Sequence, residues 1–126
     1  MALKLIQSQK ITELIVAPGN AGTVELGENV PVMADDLVGL LTIAKTRSID
    51  LTVVGPEQPL IDGISELFQR HGLKIFGPSK NAARIEGSKI WSNDLMVKYA
   101  IPTADSVAFS ESTKAIDYAL ARPEGS

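Results

Sequence analysis

Three short apolar runs, each stopped by glycine and proline, constrain this chain more than any other feature. Leu14-Ile15-Val16 leads into Pro18-Gly19-Asn20, Leu51-Thr52-Val53-Val54 into Gly55-Pro56, and Leu73-Lys74-Ile75-Phe76 into Gly77-Pro78. Runs this short, ended by turn formers, read as strands. Val30 to Met33 is a weaker strand candidate. Between the runs the apolar period becomes helical. Asp35 or Asp36 can cap a helix whose apolar face is Leu37, Leu40, Leu41 and Ala44. From about Leu60, the residues Leu60, Ile61, Ile64, Leu67 and Phe68 trace another helix, which stops at His71-Gly72 with glycine in the capping place. Strands separated by helices run in the same direction and are joined by right-handed crossovers. Helices then cover both faces of the sheet, which is why the strands are apolar without clean alternation. The expected fold is α/β, an open, doubly wound parallel sheet.

After residue 78 the pattern changes. Ser79 can cap a short helix through Glu86, Gly87 interrupts it, and Ser88 can cap a helix from Lys89 to Tyr99 that ends before Ile101-Pro102. Ser106 to Phe109 is a candidate strand, Ser110 caps a last helix from about Glu111 to Ala121, and residues 122–126 read as loop. One helix, one strand and one helix cannot enclose a core. The expected domains are therefore 1–87, an α/β unit, and 88–126, the opening of a second one. The start also reads as incomplete. Leu3, Leu5 and Ile6 suggest the end of a helix, and the first strand and phosphate-binding turn usual in such sheets would lie upstream of Met1.

Composition narrows the class. The 126 residues include no cysteine, which excludes a disulfide scaffold, a thiolate metal site and a cysteine nucleophile. A net charge of −3 is a poor footprint for nucleic-acid binding. No apolar run approaches the ~20 residues a membrane span needs, and no signal peptide opens the chain, so a cytoplasmic protein is expected.

Ligands of open α/β sheets sit beyond the carboxyl ends of the strands. Two loops here hold that place. In Gly19-Asn20-Ala21-Gly22-Thr23, the glycines allow close backbone approach, and Asn20 and Thr23 offer hydrogen bonds. A plain turn is the competing reading. In Gly55-Pro56-Glu57, the carboxylate could accept from a ribose hydroxyl or an amine, or simply complement a helix dipole. A third candidate is Lys89, in the first turn of a helix where a cation is disfavoured unless it serves an anion. It lies in the most basic stretch, with Lys80, Arg84 and Lys98. His71 reads as a helix-end residue, Trp91, Leu95, Met96 and Tyr99 as packing, and Asp35-Asp36 as a cap. No P-loop, no G-x-G-x-x-G and no nucleophile elbow is present. From the residues alone, the chain is a nucleotide- or sugar-phosphate-binding α/β domain.

Five segments in order then carry a resemblance: Val16 to Thr23, Ile49 to Glu57, Lys74 to Lys80, Glu86-Gly87-Ser88-Lys89 and Ile101-Pro102-Thr103-Ala104. Together they closely resemble the phosphoribosylamine–glycine ligases (glycinamide ribonucleotide synthetases) of purine biosynthesis, members of the ATP-grasp group. The resemblance implies ATP with Mg2+ or Mn2+ as cofactors, and 5-phosphoribosylamine and glycine as the other small-molecule substrates. Glycine's carboxylate would become an acyl phosphate, and the amine would attack it. The products would be glycinamide ribonucleotide, ADP and phosphate. It implies that Gly19 to Thr23 and Gly55 to Glu57 belong to the sugar-phosphate pocket, that Lys89 reaches nucleotide phosphates, and that the chain from Asp94 onward opens an ATP-grasp domain. It assigns no catalytic residue and no metal ligand to this chain. The full enzyme is expected to be monomeric. This chain, without the family's opening glycine-rich turn and its later grasp loop, is expected to be inactive alone and prone to self-association. Departures at Ile90-Trp91-Ser92-Asn93 leave Asn93 unassigned. The alternatives are a non-catalytic sugar-phosphate or nucleotide-binding module and the N-terminal domain of another ATP-grasp enzyme, such as a biotin-carboxylase-like one. A receiver-like interaction domain would need acidic strand ends, which are absent.

Overall fold

A computed structural model describes residues 1–122 and divides into two units, one of Met1–Gly87 and one beginning at Ser88. The first unit opens with a helical turn, α1 (Ala2–Leu5). Strands β1 (Ile15–Val16) and β2 (Glu28–Asn29) follow, then helix α2 (Leu37–Thr46), strand β3 (Thr52–Val53), helices α3 (Glu57–Asp62) and α4 (Ile64–Arg70), strand β4 (Ile75–Phe76) and helix α5 (Lys80–Gly87). The second unit holds α6 (Lys89–Lys98) and α7 (Ser112–Leu120).

All strand pairing is parallel. β1 pairs with β2, Ile15 opposite Glu28, and β3 with β4, Thr52 opposite Ile75. Where one open sheet was expected, the strands form two separate pairs. The Glu28 and Val30 amides donate to the carbonyls of Leu14 and Val16 at 2.9 and 3.0 Å, and the Thr52 and Val54 amides to those of Lys74 and Phe76 at 3.0 and 3.1 Å. Alternate residues of a parallel strand bond to opposite sides. Ile15 and Val53 therefore direct their peptide groups away from these partners, and no described strand takes them up.

Several expectations are corrected. The second strand is Glu28–Asn29, ahead of the apolar run Val30 to Met33. Pairing begins as soon as Gly27 lets the chain pass Leu14, because a Cβ on Gly27 would overlap the Leu14 carbonyl oxygen. The helix expected from Leu60 starts at Glu57 and breaks in two at Gly63, whose φ of 97° no other residue type adopts cheaply. Ser106 to Phe109 forms no strand, since no described neighbour offers it a ladder. Ser110 is not the cap of α7; Glu111 precedes that helix and makes no side-chain cap. The loop expected over 122–126 lies, from residue 123 on, outside the described residues. Other signals are realised. Asp36 caps α2 by accepting from the Gly39 amide at 2.9 Å, Ser88 caps α6 through the Trp91 amide, and Gly72 turns left-handed at φ 72°.

The core of the first unit is one stripe. Leu60, Ile64 and Phe68 recur at four-residue spacing across the Gly63 break and are buried with Ala44 of α2 and Ala83 of α5. Leu37, Leu40, Leu41, Val54, Leu73 and Ile75 pack around them. Two polar links tie α4 to the turn beyond β4. The Ser65 hydroxyl donates to the Pro78 carbonyl at 2.8 Å, and Glu66 Oε1 accepts from the Lys80 amide at 2.8 Å, capping α5 from another helix.

Arg47, just past α2, clasps two carboxylates, Glu13 ahead of β1 and Glu28 of β2. It donates to Glu28 through both terminal nitrogens and to Glu13 at 3.0 Å. The hydrogen bond from Arg47 holds the Glu28 carboxyl below its ordinary value, and the same bond raises the guanidinium further above its own. A folded-state carboxyl that is depressed stabilises the fold above the unfolded value and loses that contribution as pH falls through the folded one. Melting temperature should therefore drop as pH falls below the ordinary glutamate value of about 4.3. In Arg47→Met that decline should be shallower. Because the pair is exposed, the difference should shrink in 1 M salt. Thermal melts from pH 7 to 3 by circular dichroism check this; parallel wild-type and variant profiles would refute it.

Candidate functional site: two loops at strand ends and a lysine cleft

The chain leaves β1 into a loop that is closed by its own side chains. Asn20 Oδ1 accepts from the amides of Gly22 at 2.8 Å and Thr23 at 3.2 Å. The Thr23 hydroxyl accepts from the Asn20 amide at 2.8 Å and donates to Asn29 Oδ1 at 2.8 Å, with the Asn20 carbonyl a second acceptor at 3.0 Å. Asn29 Nδ2 donates to that same carbonyl at 2.9 Å. Asn20 Oδ1 and the Thr23 hydroxyl are thus taken up by the loop and by Asn29, while the Asn20 Nδ2 stays exposed and unpartnered among the described residues. Among the described residues, the loop donors left without a hydrogen-bond partner are the amides of Gly19 and Ala21 and the Asn20 side-chain Nδ2. Gly19 has φ 79°, and a Cβ there would overlap the Asn29 carboxamide, so glycine is required twice over.

The second loop follows β3. Gly55 lies beneath the Met1 side chain, since a Cβ on it would meet Met1 Cε at 3.3 Å. Pro56 precedes α3 in extended conformation, and Glu57 is the first residue of that helix, exposed and without a hydrogen-bond partner among the described residues. A carboxylate in the first turn suits the helix dipole, and it is also open to a ligand. Both loops follow the carboxyl ends of paired parallel strands.

In the second unit, Lys89 is exposed in the first turn of α6 and lines a cleft of about 370 Å³. The other walls include Asn93, Asp94, Thr103 and Ser106, and the Thr103 hydroxyl donates to Asn93 Oδ1 at 3.3 Å. Among the described residues, no three of histidine, aspartate and glutamate gather to hold a metal ion. No described helix is long and apolar enough to cross a membrane. His71, at the end of α4, places Nδ1 2.9 Å from the Leu67 carbonyl, a helix-end contact.

The residues that sequence reasoning missed are Asn29 and the Arg47 clasp. Asparagine is uncommon inside strands, so Asn29 immediately before the apolar run was a readable signal. The clasp joins positions 34 and 19 residues apart, and nothing local announces it.

With this geometry in hand, comparison with known proteins is decisive. The family described as "Phosphoribosylglycinamide synthetase, N domain" matches residues 1–86. The chain belongs to that family. Curated relatives named phosphoribosylamine–glycine ligase extend the likeness past the synthetase N domain. One from Caldanaerobacter subterraneus subsp. tengcongensis is 46% identical over 115 residues, 91% of this chain. Those from Xanthomonas campestris pv. campestris and Haemophilus influenzae are each 44% identical over 120 residues, 94% of this chain. In each case the match spans 28% of the relative's length. Both strand-end loops therefore lie within the synthetase N domain, and Lys89 lies just beyond its matched residues.

Proposed function

We propose that this chain is the sugar-phosphate-receiving part of a phosphoribosylamine–glycine ligase. Glycine would be joined to 5-phosphoribosylamine at the expense of ATP in purine biosynthesis, and the chain alone would be inactive. The observation that carries the reading is the β1 loop, a closed turn whose remaining donors are the Gly19 and Ala21 amides and the Asn20 Nδ2. Main-chain amides beyond a parallel strand suit a phosphorylated pentose. Glu57, beyond β3, would accept from a ribose hydroxyl or the amine.

The rest of the reading follows from membership and from Lys89. On this reading the α/β unit is a Rossmann-like domain, and residues 88–126 are a linker helix and the beginning of an ATP-grasp domain. Lys89, on the cleft it shares with Asn93 and Thr103, would offset phosphate charge. ATP with a divalent cation supplies the energy of the ligation when bound. Of the residues described, the lysine cleft fits a phosphate, and no acidic cluster fits the metal.

The test is a titration of the 126-residue chain with ribose 5-phosphate followed by amide NMR. Saturable shifts at Gly19 to Thr23 and at Gly55 and Glu57 are expected. Shifts confined to one loop, or none, would sink the common pocket. A glycine- and phosphoribosylamine-dependent ADP-release assay should give no turnover, and clear turnover would refute the inactive fragment.

A further inference from the structure

Asn29 belongs to β2 and to neither loop expected to bind, yet it makes the only described side-chain links between that strand and the β1 loop. Its donor end holds the Asn20 carbonyl, its acceptor end holds the Thr23 hydroxyl, and its carboxamide packs on Gly19 where a Cβ would stand. These contacts reach the first, second and last residues of the five-residue loop. We infer that Asn29 is the positioning residue of the β1 loop, fixing the turn in which the Gly19 and Ala21 amides stay open for a phosphorylated pentose. The inference rests on the pentose-phosphate reading for its ligand and on geometry alone for its mechanics.

The mechanics are specific to an amide. Asn29 must donate at one end and accept at the other, and at neutral pH no other side chain of that length does both. Alanine removes both links. Aspartate keeps the acceptor for Thr23 but sets a second acceptor against the Asn20 carbonyl. Protonating that aspartate would restore an O–H donor where the asparagine N–H stood. A residue that merely filled space would show no such recovery.

The experiment measures ¹⁵N order parameters for Gly19 to Thr23 and ribose 5-phosphate affinity on the 126-residue chain. In the wild type the loop amides should be rigid, with order parameters near 0.85. In Asn29→Ala they should fall below about 0.6. Affinity should weaken about tenfold, the effect of one net hydrogen bond, while the α4 amides stay rigid. Asn29→Asp should match alanine at neutral pH and recover loop order as pH falls through about 4. Unchanged loop order in Asn29→Ala would overturn the inference, and so would lost order with unchanged affinity. If the wild type binds no ribose 5-phosphate, the pentose reading fails, and the order parameters still judge Asn29. If Asn29→Ala fails to fold, Thr23→Val cuts the same link from the loop side, and an unchanged loop there would overturn the inference equally.

Discussion

Phe68→Ala should cost the first unit about 3–5 kcal/mol, the usual range for deleting a buried phenyl ring. Phe68 is 1% exposed and ends the stripe begun by Leu60 and Ile64. Few other side chains close that core. Leu60 and Ile64 are the only other large buried hydrophobics of α3 and α4; α2 and α5 each bury one alanine there, with Leu37, Leu40 and Leu41 of α2 half-buried around it. Domains of this size are stable by roughly 0.05–0.15 kcal/mol per residue, so the loss is a large part of the total. Urea denaturation followed by circular dichroism should show the midpoint falling toward zero denaturant, with melting lowered by more than about 12 °C. Phe76→Ala is the internal comparison, since Phe76 on β4 is 70% exposed and its loss should be close to neutral. Equal effects at the two positions would contradict the assigned core.

Gly19→Ala should disable the β1 loop while leaving that core intact. The left-handed φ of 79° costs an alanine roughly 1–2 kcal/mol. The added Cβ would also occupy the place of the Asn29 carboxamide, which must move and release both Asn20 and Thr23. Each lost net hydrogen bond adds about 1 kcal/mol. The summed penalty, about 3–4 kcal/mol, exceeds what a surface turn can hold, so the turn should open rather than the unit unfold. Ribose 5-phosphate binding should fall more than about thirtyfold, with the melting temperature shifted much less than in Phe68→Ala. Gly22→Ala serves as the contrast. Its φ is not left-handed, and a Cβ there would meet only Asn20 Oδ1 at 3.3 Å, so binding should fall far less. Calorimetric titration of the two variants checks the difference, and similar losses would refute the role given to Asn29 against Gly19.

Much of the first unit was legible because its signals are local. The runs ending at Pro18-Gly19, Gly55-Pro56 and Gly77-Pro78 each contain an observed strand, and Asp36, Ser88 and Gly72 punctuate the helices as their chemistry requires. The misses have one cause. Whether Glu28 or Val30 opens a strand, whether Ser106 to Phe109 finds a ladder, and whether four strands join as one sheet or two pairs all depend on a distant neighbour. Gly63 is the exception, a local break masked by a helical stripe that continues across it at unbroken spacing. At the β1 loop, the polar side chains singled out in the sequence make hydrogen bonds that only the fold reveals. Asn20 and Thr23 bond to the loop itself because short polar side chains reach nearby peptide groups before they reach a ligand.

The self-bonded loop has a consequence for acidity. None of its five residues ionises, and the groups it leaves open are peptide groups and the Asn20 carboxamide nitrogen, whose polarity is fixed. Whatever docks there would meet the same receptor at pH 5 as at pH 8. Any acid sensitivity of capture at this loop would then originate in the guest's own phosphate, whose second proton leaves near neutrality.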